Sequence, residues 1–202
     1  ATRAARLDEA AKGRPFADFS LRRSPDLSTS VARSAFIGGA SHTADADASM
    51  RLGIPVTGTM AHAWIMGHKA AVAGYVEAKK AGRAERWVSP YIESVNREFY
   101  ENLVRDAVDE VWPNVSNSQI ELVGFKAYLK SMPTNSVLLI DTYNPVQGMK
   151  NAIRAAIETG TKLNGIRLDS GDLYELAWTG KELLDEARQT HPELFANSKI
   201  FA

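Results

Sequence analysis

The clearest hydrophobic pattern in the chain is a short apolar run that ends in polar residues. Residues 137–140 read Val-Leu-Leu-Ile without interruption, as is typical of a strand buried on both faces of a parallel sheet. Asp141 follows directly, and Asn144 and Pro145 then supply an N-cap and a proline for the first helical position. The pattern predicts a buried strand that passes into a helix, and the helix is expected to stop at Gly160.

A second strand pattern alternates between apolar and polar residues. Ile166 and Leu168 are expected on one side, and Arg167 and Asp169 on the other, because successive side chains of a strand point to opposite faces. Asp172 then stands at a helix N-cap position, with a glutamate three residues later and apolar residues at helical spacing beyond it. A cation and a carboxylate therefore leave the carboxyl end of this strand together.

The rest of the chain repeats the same kinds of element. Extended segments are predicted at 16–23, 54–62 and 199–202, and helices at 1–13, before Gly38, at 45–52 and from about His62 onward. Between about Gly82 and Pro133 the apolar positions follow helical spacing, which indicates a helical insertion or an elaborated crossover. We recognise no chemistry in that insertion.

Strands that alternate with helices indicate a parallel sheet or barrel with right-handed crossovers. Only about five strands can be recognised, whereas a complete eight-stranded barrel takes about 250 residues. We therefore predict the α/β fold class, with an irregular, incomplete α/β barrel of parallel strands and helical crossovers. It is expected to occupy residues 1–202 as one partial domain with a helical insertion at about 82–133. The abrupt ends predict that N-terminal and C-terminal parts of the parent fold are absent.

Composition narrows the class of partner. Among 202 residues, 24 Lys and Arg balance 24 Asp and Glu, so the overall charge does not favour nucleic acid or an anionic membrane as the main partner. The absence of cysteine excludes disulfides and thiolate chemistry. No apolar run approaches the roughly 20 residues needed to span a bilayer. We expect a cytoplasmic protein whose partners are small molecules.

Candidate chemistry gathers at one predicted edge. His62, Asp141, and the pair Arg167 and Asp169 each follow or end a predicted strand, and ligands of α/β folds bind where strands reach their carboxyl ends. Each residue alone has an ordinary explanation, such as a helix cap for Asp141 or a simple ion pair between Arg167 and Asp169. Their common position favours a functional site.

Four ordered segments resemble the signature of the nicotinate phosphoribosyltransferases. They are Phe19-Ser20-Leu21-Arg22-Arg23, Gly58-Thr59-Met60-Ala61-His62-Ala63-Trp64, Ile140-Asp141-Thr142-Tyr143-Asn144 and Gly165-Ile166-Arg167-Leu168-Asp169-Ser170-Gly171-Asp172. Their order and spacing cover nearly the whole chain. The resemblance implies transfer of a phosphoribosyl group from phosphoribosyl pyrophosphate to nicotinate, coupled to ATP hydrolysis, in NAD salvage. It also implies a homodimer whose sites are completed at the interface.

The resemblance also implies roles for particular residues. His62 resembles the histidine that ATP phosphorylates, and neutral imidazole is a competent nucleophile near neutral pH. Asp141 and Asp169 resemble the carboxylates at the ribose and its magnesium-bound pyrophosphate, so Mg²⁺ would arrive with the diphosphate and no direct metal ligand is assigned. Other substrate contacts are implied for Phe19, Arg22, Thr43, Arg167, Ser170 and Gly171, with Phe19 stacking on the pyridine, Arg167 holding its carboxylate and Arg22 facing phosphate. Arg23 remains open between anion contact and solvated charge.

Departures from the family pattern keep alternatives open. Ser20 stands at a usual glycine, and of the segment His42-Thr43-Ala44-Asp45 only Thr43 matches a family motif, although Asp45 could act as a cap. A nicotinamide phosphoribosyltransferase and a catalytically silent nucleotide-binding barrel are therefore retained. A quinolinate enzyme is disfavoured, because those enzymes do not share the phosphorylated histidine.

Overall fold

The computed structural model describes residues 2–21, 28–86, 102, 104–105 and 116–202. The chain divides into two compact units, Ala1–Gly58 and Thr59–Ala202. The sequence indicated one partial domain, and the two units are described separately below. No helix within the described ranges is long and apolar enough to cross a membrane.

The first unit is small and mostly helical. Its helices are α1 Thr2–Ala11, α2 Ser28–Ile37 and α3 Ala46–Leu52, and its strands are β1 Ala17–Asp18 and β2 His42–Thr43. The two strands run parallel, with Ala17 opposite His42 and Asp18 opposite Thr43. Asp45 caps α3 by accepting a hydrogen bond from the backbone N–H of Ala48 at 3.1 Å, which confirms the capping role considered from sequence.

Two extended segments are shorter than the sequence predicted. The segment 16–23 contributes only β1, and Arg22 and Arg23 lie outside the described residues. In the segment 54–62, the part within this unit pairs through a single parallel bridge from Val56 to Thr43. In the described parts of these segments, 16–21 and 54–58, too few residues pair with a neighbouring strand to form a longer strand.

The second unit contains the predicted strand–helix repeat. In chain order it comprises α4 His62–Lys80, a 3₁₀ turn Ala84–Arg86, α5 Asn117–Ser131, β3 Val137–Leu139, α6 Pro145–Thr159, β4 Gly165–Arg167, α7 Leu173–Thr190, α8 Pro192–Phe195 and β5 Lys199–Phe201. The three strands form a parallel sheet in the order β3-β4-β5. A mixed helix and parallel-sheet α/β fold is confirmed.

Local sequence signals fix the ends of these helices as predicted. The Asn144 side chain accepts from the N–H of Gln147, with Pro145 next to the cap, and α6 ends at Gly160 with φ +63°. Asp172 caps α7 by accepting from the N–H groups of Tyr174 and Glu175. The carboxyl ends of β3 and β4 therefore lead within a few residues into helix N-termini, where anions are stabilised.

The core of the second unit lies between the sheet and its helices. Every residue of β3 is buried, and the fully buried side chains around it include Ile140, Ile166, Phe125, Leu129 and Leu184. Phe125 and Leu129 belong to α5, which lies within the predicted insertion. The described part of this segment, 116–131, is thus core structure, while 87–115 lies outside the described residues except for 102, 104 and 105.

Candidate functional site

The candidate site lies where β3 and β4 end and α4 begins. Asp141 follows the end of β3 by two residues, Asp169 follows the end of β4 by two residues, and His62 is the first residue of α4. Adjacent parallel strands end at the same edge of a sheet. The predicted convergence of His62, Asp141, Arg167 and Asp169 is present in the structure.

His62 faces both carboxylates through one ring nitrogen. Its Nε2 lies 3.9 Å from Asp141 Oδ1 and 3.8 Å from Asp169 Oδ2. These separations exceed hydrogen-bond distance but place the ring within the electrostatic reach of both groups. The other nitrogen, Nδ1, lies 3.1 Å from Thr142 Oγ1. About a third of the side chain is exposed, at 34%, so Nε2 remains accessible to a small molecule.

Asp141 is held rigidly by the neighbouring strand. Its side chain is 2% exposed, and Oδ2 accepts from the backbone N–H of Asp169 at 3.0 Å and from Ser170 Oγ at 2.8 Å. Within the described ranges, Oδ1 has no hydrogen-bond donor, and it is the oxygen that faces His62. One oxygen of Asp141 therefore fixes the carboxylate in place, while the other can interact with a ligand.

Arg167 balances the second carboxylate. Its guanidinium forms an ion pair with Asp169 and donates a hydrogen bond to Thr59 Oγ1 at 2.7 Å. Because the guanidinium charge offsets that of Asp169, the carboxylate of Asp141 supplies the excess negative charge next to His62. Such an arrangement can stabilise positive charge that develops on a carbon placed beside it.

An open cavity of about 510 Å³ adjoins His62. It is lined by His62, Met66 and Lys69 from one face of α4, and by Asp141, Thr142 and Tyr143 from the turn after β3. Lys69 Nζ lies 5.9 Å from the centre of the Tyr143 ring, within the range of a cation–π contact. The cavity therefore offers a nucleophile, a cation and an aromatic face to a ligand of small-molecule size.

Buried acid–base groups lie behind the cavity. Burial raises the pKa of Glu121 on α5 to about 7, opposed by a hydrogen bond from Asn151 and reinforced by the charge of Asp141. Burial also lowers the pKa of His68 on α4 to about 4, opposed by its hydrogen bond to the carbonyl of Trp64. The Tyr143 hydroxyl has its pKa raised by burial and by the charge of Glu121. Perturbed groups of this kind cluster at functional sites.

The remaining predicted residues have individual placements. Ser170 contacts Asp141, as described, and Gly171 adopts a left-handed conformation, φ +84°, in the turn that leads to the α7 cap. In the first unit, Phe19 is exposed, whereas Thr43 is buried and its hydroxyl donates to Asp18 Oδ2 at 3.2 Å. Arg22 lies outside the described residues. A substrate role for each of these residues stays a prediction.

Several residues of the site were missed by sequence reasoning. Thr142 and Thr59 lie inside the quoted motifs but received no role, since their contacts with His62 and Arg167 join distant segments. Glu121 belongs to the segment in which no chemistry was recognised. The one available signal was a glutamate within an otherwise apolar stretch, Ile120-Glu121-Leu122-Val123, because carboxylates are seldom fully buried without a partner.

The described side chains suit group transfer to or from a small anion. A nucleophilic nitrogen, two carboxylates and a guanidinium meet at an open edge, which fits phosphoryl acceptance and the stabilisation of a cationic centre. Among the described residues, no group of three or more histidine or acidic side chains is arranged to hold a metal ion.

Comparison with known proteins gives consistent matches. No family model matches the chain. A nicotinate phosphoribosyltransferase of Mycobacterium tuberculosis is 29% identical over 204 residues, which are 99% of this chain and 33% of that protein. The Bacillus subtilis enzyme of that name is 31% identical over 205 residues, 99% of this chain and 31% of its own length. The one from Dictyostelium discoideum is 32% identical over 180 residues, 84% of this chain and 28% of its own.

A solved structure agrees with these matches at the level of the fold. The crystal structure of human nicotinic acid phosphoribosyltransferase superposes with a TM-score of 0.63 at 21% identity, over 98% of this chain and 40% of that one. The chain spans about a third of the length of the curated relatives that it matches.

Proposed function

Because this chain belongs to the nicotinate phosphoribosyltransferase family, over the third of its relatives' length that it spans, we propose that its protein makes nicotinate mononucleotide. The phosphoribosyl group would come from phosphoribosyl pyrophosphate, and ATP would drive the reaction through His62. The product would enter NAD salvage. The observation that supports this best is the position of His62 Nε2, which lies within 4 Å of both Asp141 and Asp169.

In the proposed ATP-dependent step, His62 accepts a phosphoryl group on Nε2. Nδ1 keeps its proton and donates a hydrogen bond to Thr142 Oγ1, so that the lone pair of Nε2 is available. That lone pair attacks the γ-phosphorus, the nitrogen–phosphorus bond forms, and the bond to the bridging oxygen breaks, with its electron pair leaving on ADP. Water later hydrolyses the phosphohistidine and regenerates the imidazole.

In the proposed transfer step, the carboxylates act on the ribose. Loss of pyrophosphate leaves positive charge at the anomeric carbon, and carboxylates placed in advance stabilise that charge where it develops. Asp141 suits this role because its anchored carboxylate does not have to reorganise. Arg167 would hold the carboxylate of nicotinate, since a guanidinium binds a carboxylate in a planar, bidentate manner.

The remaining contacts follow from the family resemblance. Phe19 would stack on the pyridine ring, Arg22 would face phosphate, and Thr43 would contact the substrate. Ser170 and Gly171 would contact it from the turn after β4. Mg²⁺ would be carried by the diphosphate and would neutralise its oxygens. The three-stranded sheet would be one arc of an irregular α/β barrel, and the enzyme would be a cytoplasmic homodimer with shared sites.

A substrate comparison with a histidine variant tests the proposal. The full-length protein is supplied with phosphoribosyl pyrophosphate, magnesium and ATP, and offered nicotinate, nicotinamide or quinolinate. We expect nicotinate mononucleotide to form fastest, with stimulation by ATP. The His62→Ala variant should lose ATP stimulation and ³²P labelling from γ-labelled ATP, whereas His191→Gln, a change on the exposed α7–α8 junction, should keep both.

Each other outcome would reject a specific part of the proposal. A preference for nicotinamide would favour the alternative substrate. No turnover with any base would favour a catalytically silent nucleotide-binding barrel. Equal ATP stimulation of His62→Ala and the parent protein would remove His62 from the mechanism.

A further inference from the structure

A buried carboxyl group lies behind the site on a helix that has no assigned role. Glu121 on α5 is 1% exposed. Its Oε2 accepts a hydrogen bond from Asn151 Nδ2 at 2.9 Å, while Oε1 has no hydrogen-bond partner among the described residues. A glutamine or an aliphatic residue would fill this position without the cost of desolvating an acid. An acid here therefore calls for an explanation beyond packing.

Asn151 connects Glu121 to the helix that follows the Asp141 turn. Its amide nitrogen also donates to the carbonyl of Ser118 on α5 at 3.0 Å, so its bonds to Ser118 and Glu121 tie α6 to α5. Its amide oxygen accepts from Gln147 Nε2, one turn earlier on α6, at 3.1 Å. Three residues earlier on the same helix, Gly148 lies so close to the end of β3 that an added Cβ would stand 1.9 Å from the carbonyl oxygen of Ile140. The position of α5 therefore affects the position of Ile140, the residue that precedes Asp141.

The charges that face Glu121 come from several elements. Asp141 and the Tyr143 hydroxyl, both in the turn after β3, interact with it electrostatically. Tyr143 Oη is also buried and has no hydrogen-bond partner among the described residues. On α4, His68 packs against α5 near Gly124 and is neutral above about pH 4. The other charged groups seen between α5 and α6, Lys126, Arg154 and Glu158, pair with one another. Among the residues that the structure describes, no cation forms an ion pair with Glu121.

We propose that Glu121 is a positioning residue for the phosphoryl-accepting site, where it anchors the Asp141–Tyr143 turn through Asn151 and sets the charge behind Asp141. When its carboxyl is protonated, His62 faces the single excess charge of Asp141. When it ionises, a second negative charge lies behind Asp141 and repels the anionic γ-phosphate that approaches Nε2. The burial of Glu121 places this change near pH 7.

The test measures His62 phosphorylation as a function of pH, and it rests on the function proposed above. In the full-length protein, Glu121→Gln removes the charge and keeps the shape. The rate of labelling of the parent by γ-labelled ATP, relative to this variant, should fall by roughly 2- to 10-fold as pH rises through about 7, the effect of one partly screened charge. Glu182→Gln removes an exposed acid on α7 and should show the same pH dependence as the parent protein.

The alternatives are distinguishable. A merely structural role for Glu121 would lower the rate of the variant by the same factor at every pH, which would overturn the inference. If Glu121→Gln does not fold, Asn151→Ala takes its place. Loss of that hydrogen bond keeps Glu121 protonated to higher pH, so the fall in the labelling rate should move to higher pH. Absence of labelling in the parent protein would reject the proposed function instead.

Discussion

At the scale of single residues, the least expected contact is between Thr142 and His62. The hydroxyl lies next to Nδ1 and can hold either of the two neutral tautomers of the ring. Only the tautomer with the proton on Nδ1 leaves the lone pair on Nε2, which faces the carboxylates. The proposed chemistry therefore requires Thr142 to accept this hydrogen bond.

Replacing the hydroxyl by a methyl group tests this requirement. Thr142→Val should slow ³²P labelling of His62 by roughly 3- to 10-fold, because one hydrogen bond contributes about 0.5–1.5 kcal/mol. Thr142→Ser keeps the hydroxyl and should remain close to the parent rate, as measured by the initial rate of labelling. Equal rates for the valine and serine variants would show that Thr142 does not orient the ring.

The residue scale also shows where sequence reasoning was sufficient. His62, Asp141, Arg167 and Asp169 were placed together because each sits at a fixed offset from a recognisable strand or helix end. Thr59 and Glu121 were missed because their roles depend on contacts across 108 positions to Arg167 and 30 positions to Asn151. Local pattern holds no information about such distant neighbours.

At the scale of elements, α6 controls the position of the Asp141 turn. Its N-terminus is fixed by the Asn144 cap and Pro145. Gly148, three residues before Asn151, lies in close contact with the end of β3. The caps were predicted because capping chemistry is local. The strand β2 was not, since His42 and Thr43 form only two residues without an apolar run, and their pairing with β1 decides their conformation.

A methyl group at Gly148 should disturb both stability and catalysis. In Gly148→Ala the new Cβ would meet the Ile140 carbonyl at 1.9 Å, so β3 and α6 must separate. We expect a loss of about 3 kcal/mol or more in the free energy of unfolding, at or beyond the upper range for overpacked sites, together with a reduced kcat. Chemical denaturation and the nicotinate assay measure the two effects.

The glycine that caps the C-terminus of α6 serves as the control. Gly160 ends the helix in a left-handed conformation with open space around it, and asparagine tolerates that conformation, so Gly160→Asn should cost less than about 1 kcal/mol. If Gly148→Ala is no more harmful than this control, the close approach of α6 to β3 does not govern the turn.

At the scale of the whole molecule, two buried groups oppose each other in the dependence of stability on pH. Glu121 has a folded pKa of about 7 against an ordinary 4.5, so the folded state holds the extra proton and stability falls as pH rises from 4.5 to 7. His68 has a folded pKa of about 4 against an ordinary 6.5. Stability therefore falls as pH drops from 6.5 to 4.

The two slopes should largely cancel between about pH 4.5 and 6.5, and single variants should separate them. In this range Glu121→Gln leaves the His68 contribution, so its stability should increase with pH relative to the parent protein. His68→Asn leaves the Glu121 contribution and should show the opposite trend. Each difference should stay below about 3 kcal/mol. Chemical denaturation at several pH values gives both trends, and parallel curves for variants and parent would contradict the assignments.

The two units also mark the limit of prediction at this scale. The parallel pairing of the strands was predicted, because β3 and β4 are each followed by a helix long enough to cross back over the sheet. The division at Gly58 was not, since the segment around it contains no linker-like change of composition. The boundary between the units follows from the contacts between residues and is not visible in the sequence pattern.

The hydrogen bond from the backbone of Asp169 to the side chain of Asp141 has one more consequence. It fastens the carboxyl end of one strand to that of the next, so the spacing between the two carboxylates is settled when the sheet forms. A ligand bound there as proposed would meet charges that are already in register, and little rotational freedom of the protein would remain to be lost on association. Affinity at this edge should accordingly reflect the ligand's own chemistry more than any rearrangement of the protein.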